Sequence, residues 1–210
     1  MKKELQTVFY RNLWKENPVI RQILGICSAL AVTNLAVNSL VMGLGLMFVT
    51  ALSSFTISLL RNYIPQRIRM IVQTLIIAAY VIVVDIFLKA NLPEISKALG
   101  PYVGLIITNC IIMGRAEAFA QKNPPVLSLF DGLFAGLGYT IILLGVALIR
   151  ELLGFGSVFG YSLNMVNFTP WTIMVMPPGA FFMIAIFIWI SSNMMSKRTE
   201  KAKLKKQEAK

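Results

Sequence analysis

The sequence predicts an all-α integral membrane protein with six transmembrane spans, arranged as a 3+3 inverted repeat. Three observations carry this expectation. The 210 residues are 57% hydrophobic and 14% charged, whereas a soluble domain carries about a quarter charged residues. The charge is also segregated: residues 22–60 and 171–195 hold no charged side chain. Finally, two stretches share an order of features at a fixed offset of 89 residues.

Residues 1–21 read as a cytoplasmic N-terminal segment with Lys2, Lys3, Arg11, Lys15 and Arg21, and with Trp14 at headgroup level. No short apolar run with a cleavage site follows this charged opening, so no signal peptide is expected. The six-span membrane domain occupies residues 22–195. A span needs about 20 apolar residues, and the 39 uncharged positions from 22 to 60 fall just short of two spans and a turn. The expected division is a short or broken first span at 22–32, a turn at 33–38 and a full second span at 39–60. Residues 61–69 carry three arginines and Pro65 and read as a loop. The third span is 70–88, with Asp85 and Lys89 paired at i, i+4, and a loop with Pro93 follows over 91–100. The fourth span, 100–114, is again short and is interrupted by Gly100, Pro101 and Gly104. Residues 115–125 form a polar connector, in which Arg115 and Glu117 read as a membrane-edge pair or a functional one. The fifth span is 126–149, with Asp131 near its start. Residues 150–170 read as a loop, and the sixth span is 171–195, kinked at Pro177–Pro178–Gly179. A basic cytoplasmic tail, 196–210, completes the chain.

This division is tested by charge. Seventeen of the twenty Lys and Arg fall in the N-terminal segment, the 61–69 loop, the 115–125 connector and the tail; only Lys89, Lys97 and Arg150 fall on the other side. By the positive-inside rule both termini are cytoplasmic. The net charge of +11 therefore reports membrane sidedness, and no nucleic-acid partner is expected.

In the repeat, Ser39, Leu40, Gly43, Leu44, Leu59 and Arg61 align with Ser128, Leu129, Gly132, Leu133, Leu148 and Arg150. In each copy a short, glycine-interrupted, cysteine-bearing span comes first. Repeat one covers about 22–90 and repeat two about 100–195. Three spans per half invert the second half against the first, the architecture in which broken helices meet near the midplane. Cys27 and Cys110 then approach the membrane centre from opposite faces.

These are the chain's two cysteines, and it has no histidine. Histidine-ligated haem and histidine acid–base chemistry are thereby excluded from its own residues. Two buried thiols have three readings: inert small hydrophobes, a redox disulfide, or ligands of zinc or an iron–sulfur cluster. The third requires four ligands where this chain offers two, so a second, similar chain would supply the rest. The Asp85–Lys89 and Arg115–Glu117 pairs read as structural, and Asp131 as a helix N-terminal carboxylate. No Walker A loop, GxGxxG, CxxC or covalent flavin-attachment motif occurs. A non-redox permease on the same inverted repeat is a reading of a different class.

Residues 25–33 (GICSALAVT) and 103–120 (VGLIITNCIIMGRAEAFA) resemble the D-type membrane subunits of the Na⁺-translocating NADH:quinone reductase (Nqr). FDGLFAGLGY at 130–139, IRELLGFG at 149–156 and PPGAFF at 177–182 add to the resemblance, which covers residues 14–190. The related Rnf ferredoxin:NAD⁺ oxidoreductase has a homologous E-type subunit. Ser28 after Cys27, and Val103–Gly104 before LIITNC, favour Nqr. The resemblance implies pairing with a homologous E-type subunit and an intramembrane [2Fe–2S] cluster shared between the two. It carries the cluster-ligand role onto Cys27 and Cys110, with two further cysteines from the partner. It also implies the A-, B-, C- and F-type Nqr subunits as partners, and FMN, FAD, riboflavin and quinone elsewhere in the complex. Electrons would pass from NADH through the F-type subunit and this cluster to membrane flavins and quinone, with Na⁺ exported across a bacterial inner membrane. The lysine-rich tail departs from the family pattern.

Overall fold

The computed structural model describes Val19, residues 22–91, 93–155, 157–158, 161–162 and 176–208. The expected interfacial segment over 1–21 lies, Val19 apart, outside the described residues, as does most of the 156–175 stretch.

The regular structure of the described residues is helical, apart from a two-residue antiparallel ladder pairing Ser157 with Ser162 and Val158 with Tyr161. The helices are α1 (Ile26–Val32), α2 (Ala36–Leu60), α3 (Arg69–Asn91), α4 (Pro93–Ile107), α5 (Cys110–Arg115), α6 (Pro125–Phe155) and α7 (Pro177–Glu208). Between α5 and α6, residues Ala116–Ala120 continue as a π-helix. Four helical segments are long and apolar enough to cross a membrane: Ala36–Leu60, Arg69–Asn91, Tyr102–Ala120 and Pro125–Gly154. They coincide with the expected second to fifth spans. The expected first span is a seven-residue helix. The apolar part of α7 is the shorter Pro178–Asn193, and residues 171–175 of the expected sixth span are not described.

The core is the antiparallel pair α2 and α6, which makes the principal interhelical contact. Close approach is possible because three glycines face it. A Cβ on Gly136 would lie 2.6 Å from the Met47 Cα, one on Gly132 2.7 Å from the Thr50 carbonyl oxygen, and one on Gly43 2.6 Å from Thr140 Cγ2. In a bilayer, where burial of apolar surface between helices gains little, such backbone proximity is what holds helices together. By contrast α3 is peripheral: Ile71, Leu75, Ile82, Val83, Ile86 and Phe87 all point outward, as a lipid-facing helix requires.

Several boundaries differ from expectation, each with a physical reason. The turn expected at 33–38 is shorter, because α2 starts at Ala36, whose N–H donates to Glu151 Oε2 at 2.8 Å. The expected loop at 91–100 is largely helical, since Pro93 opens α4 as a first-turn proline. The fourth span is not interrupted at Gly100, Pro101 or Gly104, which lie inside α4; it breaks at Thr108–Asn109, directly before Cys110. The connector expected at 115–125 remains helical to Ala120. The loop expected at 150–170 begins later, because α6 runs to Phe155 with Arg150 and Glu151 buried. Pro177–Pro178–Gly179 starts α7 rather than kinking it.

Arg115 and Glu117 do not pair with each other. Arg115, 3% exposed, forms a two-pronged ion pair with Asp131, 1% exposed: Nε donates to Oδ2 at 2.9 Å, and Nη2 bonds Oδ1. The guanidinium also lies 5.5 Å from the Phe119 ring centroid. Asp131 is thus the buried partner of Arg115, beyond its reading as a helix-terminal carboxylate. Glu117 instead pairs with Arg69. Asp85 and Lys89 do pair at i, i+4, with Nζ 2.6 Å from Oδ2.

Candidate functional site

Both cysteines lie at a helix start, and at Cys110 the start follows the break at Thr108–Asn109. α1 begins at Ile26 after a sharp entry, with Ile23 at φ 54° and Gly25 at φ 80°. Glycine adopts that left-handed conformation freely. A β-branched residue there stores strain of order 1–3 kcal/mol, which surrounding structure must hold. Cys27 follows in the first turn. In the second copy the restart is made by Asn109, which has extended backbone and whose Oδ1 accepts from the Ile111 N–H at 2.9 Å. This is a side-chain N-cap, and it places Cys110 as the first residue of α5.

The residues beside the cysteines bind each other. Asn109 Nδ2 donates to Ser28 Oγ at 3.0 Å. Ser28 Oγ donates to the Gly25 carbonyl at 3.0 Å. A hydroxyl has one proton, so Tyr139 on α6 must be the donor in its 2.7 Å bond to Ser28 Oγ. Ser28, Asn109 and Tyr139 are all buried. One hydroxyl thereby joins both helix breaks to the core helix. Ile111 closes the joint from the side: a Cβ on Gly25 would come within 2.6 Å of its Cδ1.

Cys27 and Cys110 themselves are free thiols and exposed on the chain. The expectation of buried thiols is corrected here. Their neighbours Ser28 and Asn109 point inward, and helical geometry turns the cysteines outward. The donor set consists of two soft sulfur ligands, each in the first turn of a helix where backbone N–H groups lack intrahelical partners. Such N–H groups can donate to a metal-bound sulfur, which binds as the thiolate. Among the described residues no three His, Cys, Asp or Glu side chains converge on one point. The donor set is thus two thiols, two fewer than the four that a zinc or [2Fe–2S] site takes.

Sequence reasoning singled out the cysteines but not Ser28, Asn109 or Tyr139 as their support. The signal for Asn109 was present: an N-capping residue type directly before a cysteine, after a long apolar run. Tyr139 carried no comparable signal, because its role depends on how α6 packs.

The family described as Rnf-Nqr subunit, membrane protein, matches residues 5–188. The chain is 50% identical over 193 residues to the D-type subunit of the Na(+)-translocating NADH-quinone reductase of Pseudoalteromonas translucida, covering 90% of this chain and 92% of that protein. It is 52% identical, over the same shares, to the D-type subunit of Shewanella sp. strain W3-18-1, and 51% identical to that of Shewanella sp. strain ANA-3.

Proposed function

The chain belongs to the Rnf-Nqr family of membrane subunits, and from that premise we propose that it is the D-type subunit of a Na⁺-translocating NADH:quinone reductase. In this role Cys27 and Cys110 provide two of the four ligands of a [2Fe–2S] cluster shared with a homologous E-type subunit. The observation that carries the proposal is the pair of exposed thiols at two helix restarts, with Ser28 and Asn109 between them hydrogen-bonded at 3.0 Å. The half-set of ligands calls for a partner chain with two more thiols. The similarity of about 50% to D-type subunits favours the Nqr complex over Rnf.

The 3+3 inverted repeat is part of the same proposal. α2 and α6 start 89 residues apart, at Ala36 and Pro125. Positions 47 and 136 are equivalent under that offset, and Met47 and Gly136 touch each other, as residues on a two-fold axis must. Gly43 faces Thr140 while Gly132 faces Thr50 and Ala51, and Ala51 is the counterpart of Thr140. The arginines ending the repeats also reach across. Arg61 donates to the Asn123 carbonyl at 3.0 Å, and Arg150 donates to Thr33 Oγ1 beside Asn34, the counterpart of Asn123. With six spans, the basic end, where Arg61, Arg67, Arg69 and Lys122 gather, is cytoplasmic by the positive-inside rule.

A shared cluster supplies one-electron redox chemistry in the membrane interior. This chain's residues hold the thiols in place: Gly25 and Asn109 set the two restarts, Ser28 locks them together, and Tyr139 fixes Ser28 to the core. Replacing Cys27 or Cys110 with alanine in the complete complex should remove the shared cluster's iron and acid-labile sulfide and abolish quinone reduction, while the flavins stay bound. Full activity and unchanged iron in both single variants would refute the assignment. Iron absent from the unaltered complex under anaerobic purification would point instead to a permease.

A further inference from the structure

At the basic end, outside the cysteine site, four polar side chains form a cluster that the proposed electron relay does not use. Arg69 opens α3, and its Nη2 pairs with Glu117 Oε1. Its Nη1 donates to Gln121 Oε1 at 2.8 Å. Gln73, one turn on, reaches Glu117 Oε2 with Nε2 at 3.5 Å. Glu117 belongs to the π-helix and Gln121 caps it, its N–H bonding back five residues to the Ala116 carbonyl at 3.3 Å. π-helical turns of this kind are rare and recur at functional sites.

Two buried polar atoms in this cluster have no hydrogen-bond partner among the described residues: Arg69 Nε and Gln73 Oε1. Gln73 is fully buried, so its orphaned carbonyl forfeits a hydrogen bond that water would have given it. Native structures rarely leave such atoms unmet without a bound species to meet them. The Arg69 and Glu117 side chains, in contrast, are 30% and 37% exposed, so the cluster opens to water on one side. Ile57, Ala116 and Ala120, with Ile76 against them, form a dry patch beside it.

Glu117 contributes a carboxylate, and Gln73 and Gln121 each contribute a carboxamide oxygen. Hard cations select such oxygens. The group now held by Glu117 and Gln121 is the Arg69 guanidinium, a tethered positive charge that cannot deprotonate. It stands at the N-terminal end of α3, where the helix dipole disfavours a cation. We propose that this oxygen cage is a binding site for a monovalent cation of the sodium class, entered from the aqueous phase at the basic end, with Arg69 as a displaceable plug. When Arg69 swings into water, Glu117, Gln121 and the orphaned Gln73 Oε1 face the ion. The carboxylate's single negative charge balances one monovalent cation, so plug and ion exclude each other. This inference rests on the sodium-translocating reading above for the identity of the ion.

The test uses the purified complete complex, with equilibrium binding of ²²Na⁺ and the Na⁺ dependence of quinone reduction. Gln73→Leu removes one ligand oxygen while leaving the ion pair in place. It should raise the Na⁺ concentration for half-maximal rate about tenfold, the equivalent of one modest interaction lost. Glu117→Gln should raise it further and remove one bound Na⁺ per complex. Arg69→Gln removes the plug and should shift the dependence the opposite way, to lower Na⁺. Opposite shifts in Gln73→Leu and Arg69→Gln support the site, and these two variants keep the test decisive if Glu117→Gln fails to assemble. Lower thermal stability with unchanged Na⁺ dependence in both would identify a structural ion pair only and overturn the proposal. Iron and acid-labile sulfide, measured on the same samples, separate a failure of this site from a failure of the cluster assignment.

Discussion

Replacing Asn109 with alanine should loosen the cysteine site without touching either thiol. The substitution removes two interactions, the cap on the Ile111 N–H at 2.9 Å and the bond to Ser28 Oγ at 3.0 Å. Loss of a helix cap costs about 1 kcal/mol, and the buried Ile111 N–H left without a partner places this case towards the upper end, about 2 kcal/mol. Ser28 Oγ keeps Gly25 and Tyr139 as partners, so its lost bond adds only about 1 kcal/mol. The sum, about 3 kcal/mol, corresponds to roughly a hundredfold shift in the equilibrium that holds the α5 restart in register. The assay is iron and acid-labile sulfide per complex, read beside the thermal midpoint in detergent. Asn109→Ser should recover about two thirds of the loss, because serine caps but is too short to reach Ser28. A cycle with Ser28→Ala should show coupling, since both residues serve one bond. Unchanged iron and thermal midpoint in Asn109→Ala, or additive effects in the cycle, would refute the claim that this bond couples the two restarts.

Two further predictions concern the frame. Gly136→Val places a branched side chain 2.6 Å from the Met47 Cα, so α2 and α6 must separate; overpacking of this kind costs about 1–3 kcal/mol, and the thermal midpoint of the complex should fall while Gly100→Ala, at a glycine with open space around it, leaves it unchanged. Asp131→Asn strands the buried Arg115 charge and should cost about 3–5 kcal/mol, seen as loss of assembled complex. The paired change Arg115→Met with Asp131→Leu should restore much of that assembly, since no buried charge remains.

The uncharged runs made the long helices legible, because span length is written in composition. The boundaries were less legible where long-range partners override local signals. Gly100, Pro101 and Gly104 resemble breakers, yet α4 runs through all three. Asn109, by contrast, carries its own acceptor for the Ile111 N–H and stops the helix. Arg115, Arg150 and Glu151 were placed outside or at the edge of spans because charges are costly within them. Asp131, Thr33 and the Ala36 N–H, 16 to 117 positions away in sequence, remove much of that cost. The cysteine positions were legible as motifs. Their exposure was not, because it follows from Ser28 and Asn109 turning inward to meet Tyr139.

The arrangement of the two helix starts bears on the proposal that the thiols belong to an interface. A break in a membrane helix leaves backbone groups unmet, and these must be satisfied inside protein. Ser28 satisfies the Gly25 carbonyl and Asn109 the Ile111 N–H on the inner side, where Tyr139 holds Ser28. The residues next in sequence, Cys27 and Cys110, are then forced to the outer face. On the proposed reading, a metal-binding sulfur facing lipid would be unfavourable, and a covering surface at the cysteines follows from it. A covering chain that offered only apolar groups would shield the thiols without using them. One that offers two further thiols completes a tetrathiolate site. On the proposed reading, a half-set of ligands follows from how this chain packs Ser28 and Asn109 inward at the two helix starts.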